Sequence, residues 1–254
     1  MKLHSKVVGE GKPLLVLHGL FGSGDNWATL ASSFAQEGYF VHLIDQRNHG
    51  RSPHDDVFDY EVMAADLQEY IHDHRINNPL LIGHSMGGKT IMRHAQLFAG
   101  VPEKIIVVDI APRYYPPHHQ VVIEALSSID FSKAVSRKSV QASLELLIHD
   151  SATLQFLLKN LYWKDDEQLA WRFNLSAIVS NILDIGTALP TEMVDIPTLF
   201  LRGENAGYLL PSDEELIQKQ FTNASIKTIA KAGHWVHVDN PTLFFSEALA
   251  FLKA

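Results

Sequence analysis

The sequence predicts an α/β fold, a mostly parallel sheet with helices on both faces and an inserted helical cap. Three observations predict it. Short apolar runs alternate with helix-periodic segments from Leu14 to Asp109, the rhythm of strands joined by crossover helices. That alternation stops at Ala111-Pro112 and resumes only at Thr198. Between a strand pattern and a helix pattern sits Gly83-His84-Ser85-Met86-Gly87, a glycine-flanked serine in the context that gives such a pentapeptide chemical meaning.

Leu14-Leu15-Val16-Leu17, ending in His18-Gly19, reads as a buried parallel strand breaking into a loop. Gly22 to Asn26 keeps that loop irregular, a helix is predicted from about Trp27 to Glu37, and Gly38 ends it. Phe40 to Asp45 forms the next strand, closed by the turn-rich stretch Gln46 to Pro53. Tyr60 to His74 has helical spacing, with Val62, Ala65, Leu67, Tyr70 and Ile71 as the expected buried face. Leu80 to Ile82 leads into the serine turn, helical spacing runs on to about Ala99, and Ile105 to Asp109 is a further strand. Sites in such sheets collect at the carboxyl ends of strands, where His18-Gly19, Asp45, Ser85 and Asp109 all fall.

Pro112 and Pro116-Pro117 mark a boundary. From about His118 to Leu189 no strand pattern is evident; Leu144, Leu147 and Ile148, then Leu154, Leu157, Leu158 and Leu161, recur at helical intervals. The expected organisation is a core of residues 1–112 and 190–254 with a helical cap at 113–189. Beyond it come a strand at Thr198 to Gly203, a helix at Ser212 to Gln220, a strand at Ser225 to Ile229 and a helix at Pro241 to Leu252.

The chain has 254 residues, 46% of them hydrophobic, enough for a sizeable core. Its formal charge of -8 argues against nucleic acid or an anionic membrane as the main partner. With no cysteine, disulfides, thiolate zinc sites and a cysteine nucleophile are excluded together. Met1 to Lys6 runs into a strand-like segment without the apolar core of a signal peptide, and no apolar run approaches the ~20 residues that span a bilayer. A cytoplasmic location is the expectation.

Serine is a poor nucleophile at neutral pH and needs a base, itself oriented by a third group. His234, in Gly233-His234-Trp235 after the penultimate strand pattern, is the best base. His18 and His49 are expected to shape loops, and the pairs His118-His119 and His72 with His74 lack the carboxylate spacing of a metal site. No metal is therefore expected.

These motifs resemble the α/β-hydrolase superfamily along essentially the whole chain. More narrowly, His18-Gly19-Leu20-Phe21-Gly22-Ser23 through Asn26-Trp27, Val108-Asp109-Ile110-Ala111-Pro112 and Trp171-Arg172-Phe173-Asn174-Leu175 resemble the YbfF-type bacterial esterases and their mitochondrial relatives. The resemblance implies serine hydrolysis of small carboxyl esters, with acyl-CoA thioesters as an extension, and no cofactor. A carbon–carbon bond hydrolase or lyase keeps the same serine and histidine and is the alternative.

The acid departs from the superfamily pattern. The usual position after Thr198 to Gly203 is Ala206, which cannot orient a histidine. The resemblance offers Asp109, one strand from the nucleophile, with Glu204 and Asp213 as competitors. It assigns the oxyanion donors to the amides of Met86 and Leu20, with Phe21 as the alternative to Leu20. Phe156, Leu157, Leu161, Tyr162 and Trp163 are candidates for an acyl pocket, or for plain cap core. Lys133, Arg137, Lys138, Lys159 and Arg172 are candidates for CoA phosphates, or for solvated helix faces.

Overall fold

The computed structural model describes residues 1–133, 136–165 and 168–254. Among them the main sheet has seven strands in the order β1-β3-β2-β4-β5-β8-β9. These are β1 (Ser5–Val8), β2 (Lys12–Leu17), β3 (Tyr39–Ile44), β4 (Leu80–His84), β5 (Lys104–Val108), β8 (Thr198–Gly203) and β9 (Ala224–Ile229). Only β1 runs antiparallel, against β3 at the sheet edge.

Strand residues alternate between two apolar cores, as the two-residue period of a strand requires. Leu15, Leu17, Leu81, Ile105, Val107 and Phe200 face α2 (Tyr60–Asp73) and α3 (Met86–Leu97). Leu14, Val16, Ile82, Ile106, Val108 and Leu199 face α1 (Ala28–Gln36) and α11 (Pro241–Lys253). Both faces are covered, which is why the central strands read as continuous apolar runs.

Three expectations need correction. The buried face of α2 is Met63, Ala64, Leu67, Tyr70 and Ile71; Ala65 is exposed and Val62 half-buried. The helix is turned because Asp66 points inward to a buried, bidentate pair with Arg47, at 2.6 and 2.9 Å, and a paired carboxylate is tolerated where an unpaired one is not. Residues 118–189 do contain strands: β6 (Leu161–Trp163) and β7 (Leu169–Trp171) form an antiparallel pair. Each has three residues, too few to display a period. A short α10 (Val236–Asp239) also intervenes before α11.

Among the described residues, the segment between β5 and β8 adds no strand to the main sheet. It folds as α4 (Gln120–Ser127), α5 (Arg137–Glu145), α6 (Ser151–Leu158), the β6–β7 pair, α7 (Leu175–Ser180) and α8 (Ile182–Gly186). After it, α9 (Glu214–Gln220) crosses from β8 to β9. No helix among the described residues is long and apolar enough to cross a membrane.

Candidate active site

Ser85 occupies the turn between β4 and α3 with φ 52° and ψ −117°, a strained conformation of the kind that clusters at functional sites. The flanking glycines permit it. A Cβ on Gly83 would lie 2.3 Å from the Gly87 carbonyl oxygen, and one on Gly87 2.5 Å from that of Leu17. The Ser85 amide donates to Val108 O at 3.0 Å, tying the turn to the end of β5.

Asp109 follows β5 with φ 49°. The register aligns His84 with Val108, so Ser85 and Asp109 extend from adjacent strands. The Asp109 side chain is fully buried. Its Oδ1 accepts from Gly203 N at 3.1 Å and its Oδ2 accepts from His234 Nδ1 at 2.8 Å. Glu204 instead accepts from the Lys231 amide at 2.7 Å. Asp213 pairs with Arg113 at 2.9 Å and accepts from the Leu210 amide. Both competitors are engaged elsewhere.

The Nδ1–H to carboxylate bond leaves Nε2 of a neutral His234 ring unprotonated, the form a general base requires. Desolvation, with His118 nearby, holds the His234 pKa below its ordinary value. Burial pushes the Asp109 carboxyl up to about 7, opposed by the Gly203 amide. The resting pair therefore disfavours the protonated imidazole.

Two amides bear on the oxyanion role expected of Met86 and of Leu20 or Phe21. Met86 opens α3, so its N–H has no acceptor within the helix. The Phe21 amide donates to His49 Nε2 at 3.1 Å, whereas the Leu20 amide makes no hydrogen bond among the described residues. That geometry favours Leu20 over Phe21. His49 and His18 are loop-shaping residues. Each donates through Nδ1 to a backbone carbonyl and accepts an amide at Nε2, and burial lowers both pKa values.

Three contacts have no counterpart in the sequence reading. His84, the variable residue of the pentapeptide, donates through Nε2 to the His234 carbonyl at 2.9 Å. Tyr208 stacks on the His234 ring at 3.8 Å and 20°. His118 bonds the Tyr208 hydroxyl at 2.5 Å. No sequence signal marks Tyr208, because the stack joins loops far apart in the chain.

A cavity open to solvent is lined by Ser85, Leu20, Met86, Tyr60 and Tyr208 from the core side. Tyr115, His118, His119, Ile182 and Ile185, all within residues 113–189, line it from the other. Among the described residues, its walls carry no Lys, Arg, Asp or Glu side chain. The pocket candidates named from helical spacing lie outside it. Leu157 and Leu161 are buried core, Phe156 packs on Trp235, and Trp163 is exposed. Among the basic candidates, Arg137 caps the Leu158 and Leu161 carbonyls and Lys133 pairs with Asp130.

A strained serine between sheet and helix, beside a histidine paired with a buried aspartate on a parallel sheet, defines a class, and the chain's sequence agrees with it. Residues 14–248 match the alpha/beta hydrolase family, and the protein belongs to that family. Among its relatives, sn-1-specific diacylglycerol lipase ABHD11 of Danio rerio is 37% identical over 253 residues, covering 96% of this chain and 80% of that protein. Esterase YbfF of Escherichia coli is 34% identical over 233 residues, covering 91% and 89%. A solved structure described as a marine microorganism esterase superposes with a TM-score of 0.96 at 41% identity, covering 98% and 99%.

Proposed function

We propose that the protein is a serine hydrolase of carboxyl esters, with Ser85 as nucleophile, His234 as general base and Asp109 as the acid that orients it. The observation that carries this reading is the 2.8 Å bond between His234 Nδ1 and the buried Asp109 carboxylate, on the strand beside Ser85. In the first half-reaction Ser85 Oγ bonds to the acyl carbon while His234 takes its proton. The oxyanion is held by the amides of Leu20 and Met86, where losing one such donor typically costs about 3 kcal/mol. His234 then passes the proton to the leaving oxygen as the acyl–oxygen bond breaks. Water, deprotonated by His234, attacks the acyl-enzyme and releases the acid. Asp109 stays ionised and stabilises the imidazolium.

The cavity walls, apolar and aromatic with neutral polar groups, favour uncharged acyl groups. The names of the relatives, esterase and lipase, support ester cleavage; thioesters extend the same chemistry. Residues 113–189 act as a cap over Ser85, since His118, His119, Ile182 and Ile185 from that segment close the cavity. A panel of p-nitrophenyl esters beside acyl-CoAs, with Ser85→Ala as blank, tests the reading. Wild-type protein should turn over esters and label with a fluorophosphonate probe. Labelling of Ser85→Ala at the native level overturns the assignment.

A further inference from the structure

Lys89 lies one turn into the nucleophile helix, and its backbone N–H donates to Ser85 O at 3.1 Å. Its side chain is almost wholly buried, at 1% exposure. Among the described residues no carboxylate lies within ion-pair distance of its ammonium. A buried charge without a counterion is costly, so what the ammonium touches is informative.

The Nζ donates to two backbone carbonyls, Arg113 O at 2.9 Å and Thr187 O. These residues stand where the chain leaves the core for residues 113–189 and where it comes back. The two crossings also lie side by side, with Tyr115 N donating to Gly186 O and Leu189 N to Pro112 O, both at 2.8 Å. One side chain of the nucleophile helix thus fastens both crossings.

The same ammonium sits over two aromatic rings, 4.9 Å from the centroid of Tyr115 and 5.4 Å from that of Tyr60, within cation–π range. The guanidinium of Arg113 covers Tyr115 as well, at 4.0 Å. Tyr115, whose ring both cations contact, donates its hydroxyl to Tyr208 O at 2.5 Å. Tyr208 in turn stacks on His234. Tyr60, Tyr115, Gly186 and Tyr208 all line the cavity. Burial and the neighbouring Arg113 depress the Lys89 pKa to about 7, and even the neutral amine keeps two N–H donors for the two carbonyls.

We propose that Lys89 is a positioning residue that pins both ends of the 113–189 segment to the nucleophile helix and so fixes the cavity wall facing Ser85. Its kinetic consequence rests on the ester-hydrolase reading; its structural consequence does not. Lys89→Met keeps the bulk and removes the donors. Lys89→Gln keeps two N–H donors without the charge.

Hydrogen exchange is measured first, in a Ser85→Ala background without substrate. In Lys89→Met, peptides covering 113–117 and 185–189 should exchange about tenfold faster, while β4 and β5 peptides stay at the parent rate. Lys89→Gln should fall between, and carries the test alone where methionine is not tolerated. In the Ser85 enzyme, Lys89→Met should raise KM for a short p-nitrophenyl ester about fivefold or more, with kcat within about threefold. Unchanged exchange at both crossings, in both variants, overturns the proposal. So does faster exchange with KM unmoved, the mark of a merely structural lysine. A wild-type enzyme that cleaves no ester refutes the functional reading and leaves the exchange result standing.

Discussion

Asp109→Asn separates the two jobs of the buried acid. In the wild type, Asp109 has two acceptor oxygens, one for the Gly203 amide and one for His234 Nδ1–H. Asparagine has one acceptor and one donor. With its oxygen on Gly203, its NH₂ faces His234 and selects the tautomer whose Nε2 already carries a proton, which cannot accept one from Ser85. The charge is lost as well. A unit charge about 4 Å from the imidazolium is worth about 4 kcal/mol at an effective dielectric near 20, or roughly a thousandfold in rate. Loss of charge and wrong tautomer together should lower kcat about 10³- to 10⁴-fold with KM little changed. The assay is initial-rate kinetics on p-nitrophenyl acetate, with Asp213→Asn and Glu204→Gln as controls that retain near-native turnover. If Asp109→Asn keeps more than about a tenth of wild-type kcat, or Asp213→Asn falls as far, the acid is misassigned.

The same substitution should stabilise the fold. A carboxyl raised from 3.8 to about 7 binds more protons folded than unfolded across that window, so wild-type stability falls as pH rises from about 4 to 7 and stays reduced above it. At about 1.4 kcal/mol per unit, Asp109→Asn gains at most about 4 kcal/mol at pH 8; thermal melts should show the gain shrinking toward pH 4, and an equal gain at both values contradicts the cause. Gly83→Ala drives a methyl against the Gly87 carbonyl at 2.3 Å, so it should lose about 1–3 kcal/mol in chemical denaturation together with most activity. His84→Phe removes the donor to the His234 carbonyl and should lower kcat about tenfold at unchanged KM, with His84→Gln recovering part; KM rising instead of kcat falling would point to the pocket.

The fold was legible where burial is continuous. Parallel strands covered on both faces show as apolar runs such as Leu14 to Leu17 and Ile105 to Val108, and their ends mark the site. The β6–β7 pair was not legible, since three-residue strands carry no period. The turn of α2 was hidden because Asp66 looks solvent-facing until its partner Arg47, from a different loop, is known. Ser85, His234 and Asp109 were named because each lies in a local motif, and the structure brings the last two into contact. Tyr208 and Lys89 carry no sequence signal, and His118 shows only as one of a histidine pair, for one reason: each acts through a partner distant in sequence.

The absence of an acid at position 206 explains more of the site than it removes. Gly203 ends β8, the strand after which the acid usually stands. Here it donates its amide to Asp109 Oδ1. The strand end supports a carboxylate carried by its neighbour. The loop beyond is then free for other work: Glu204 holds the Lys231 amide and Asn205 N bonds Ala232 O, bracing the approach to His234. Four residues further on, Tyr208 covers the His234 ring. Placing the proposed acid on β5 also accounts for its complete burial and its raised pKa, because a strand end in mid-sheet is farther from water than the loop after β8. A buried carboxylate with few donors is costly to ionise, yet it stabilises a transient imidazolium most where water is absent. The stability given up at Asp109 and the catalysis expected from it have the same physical origin.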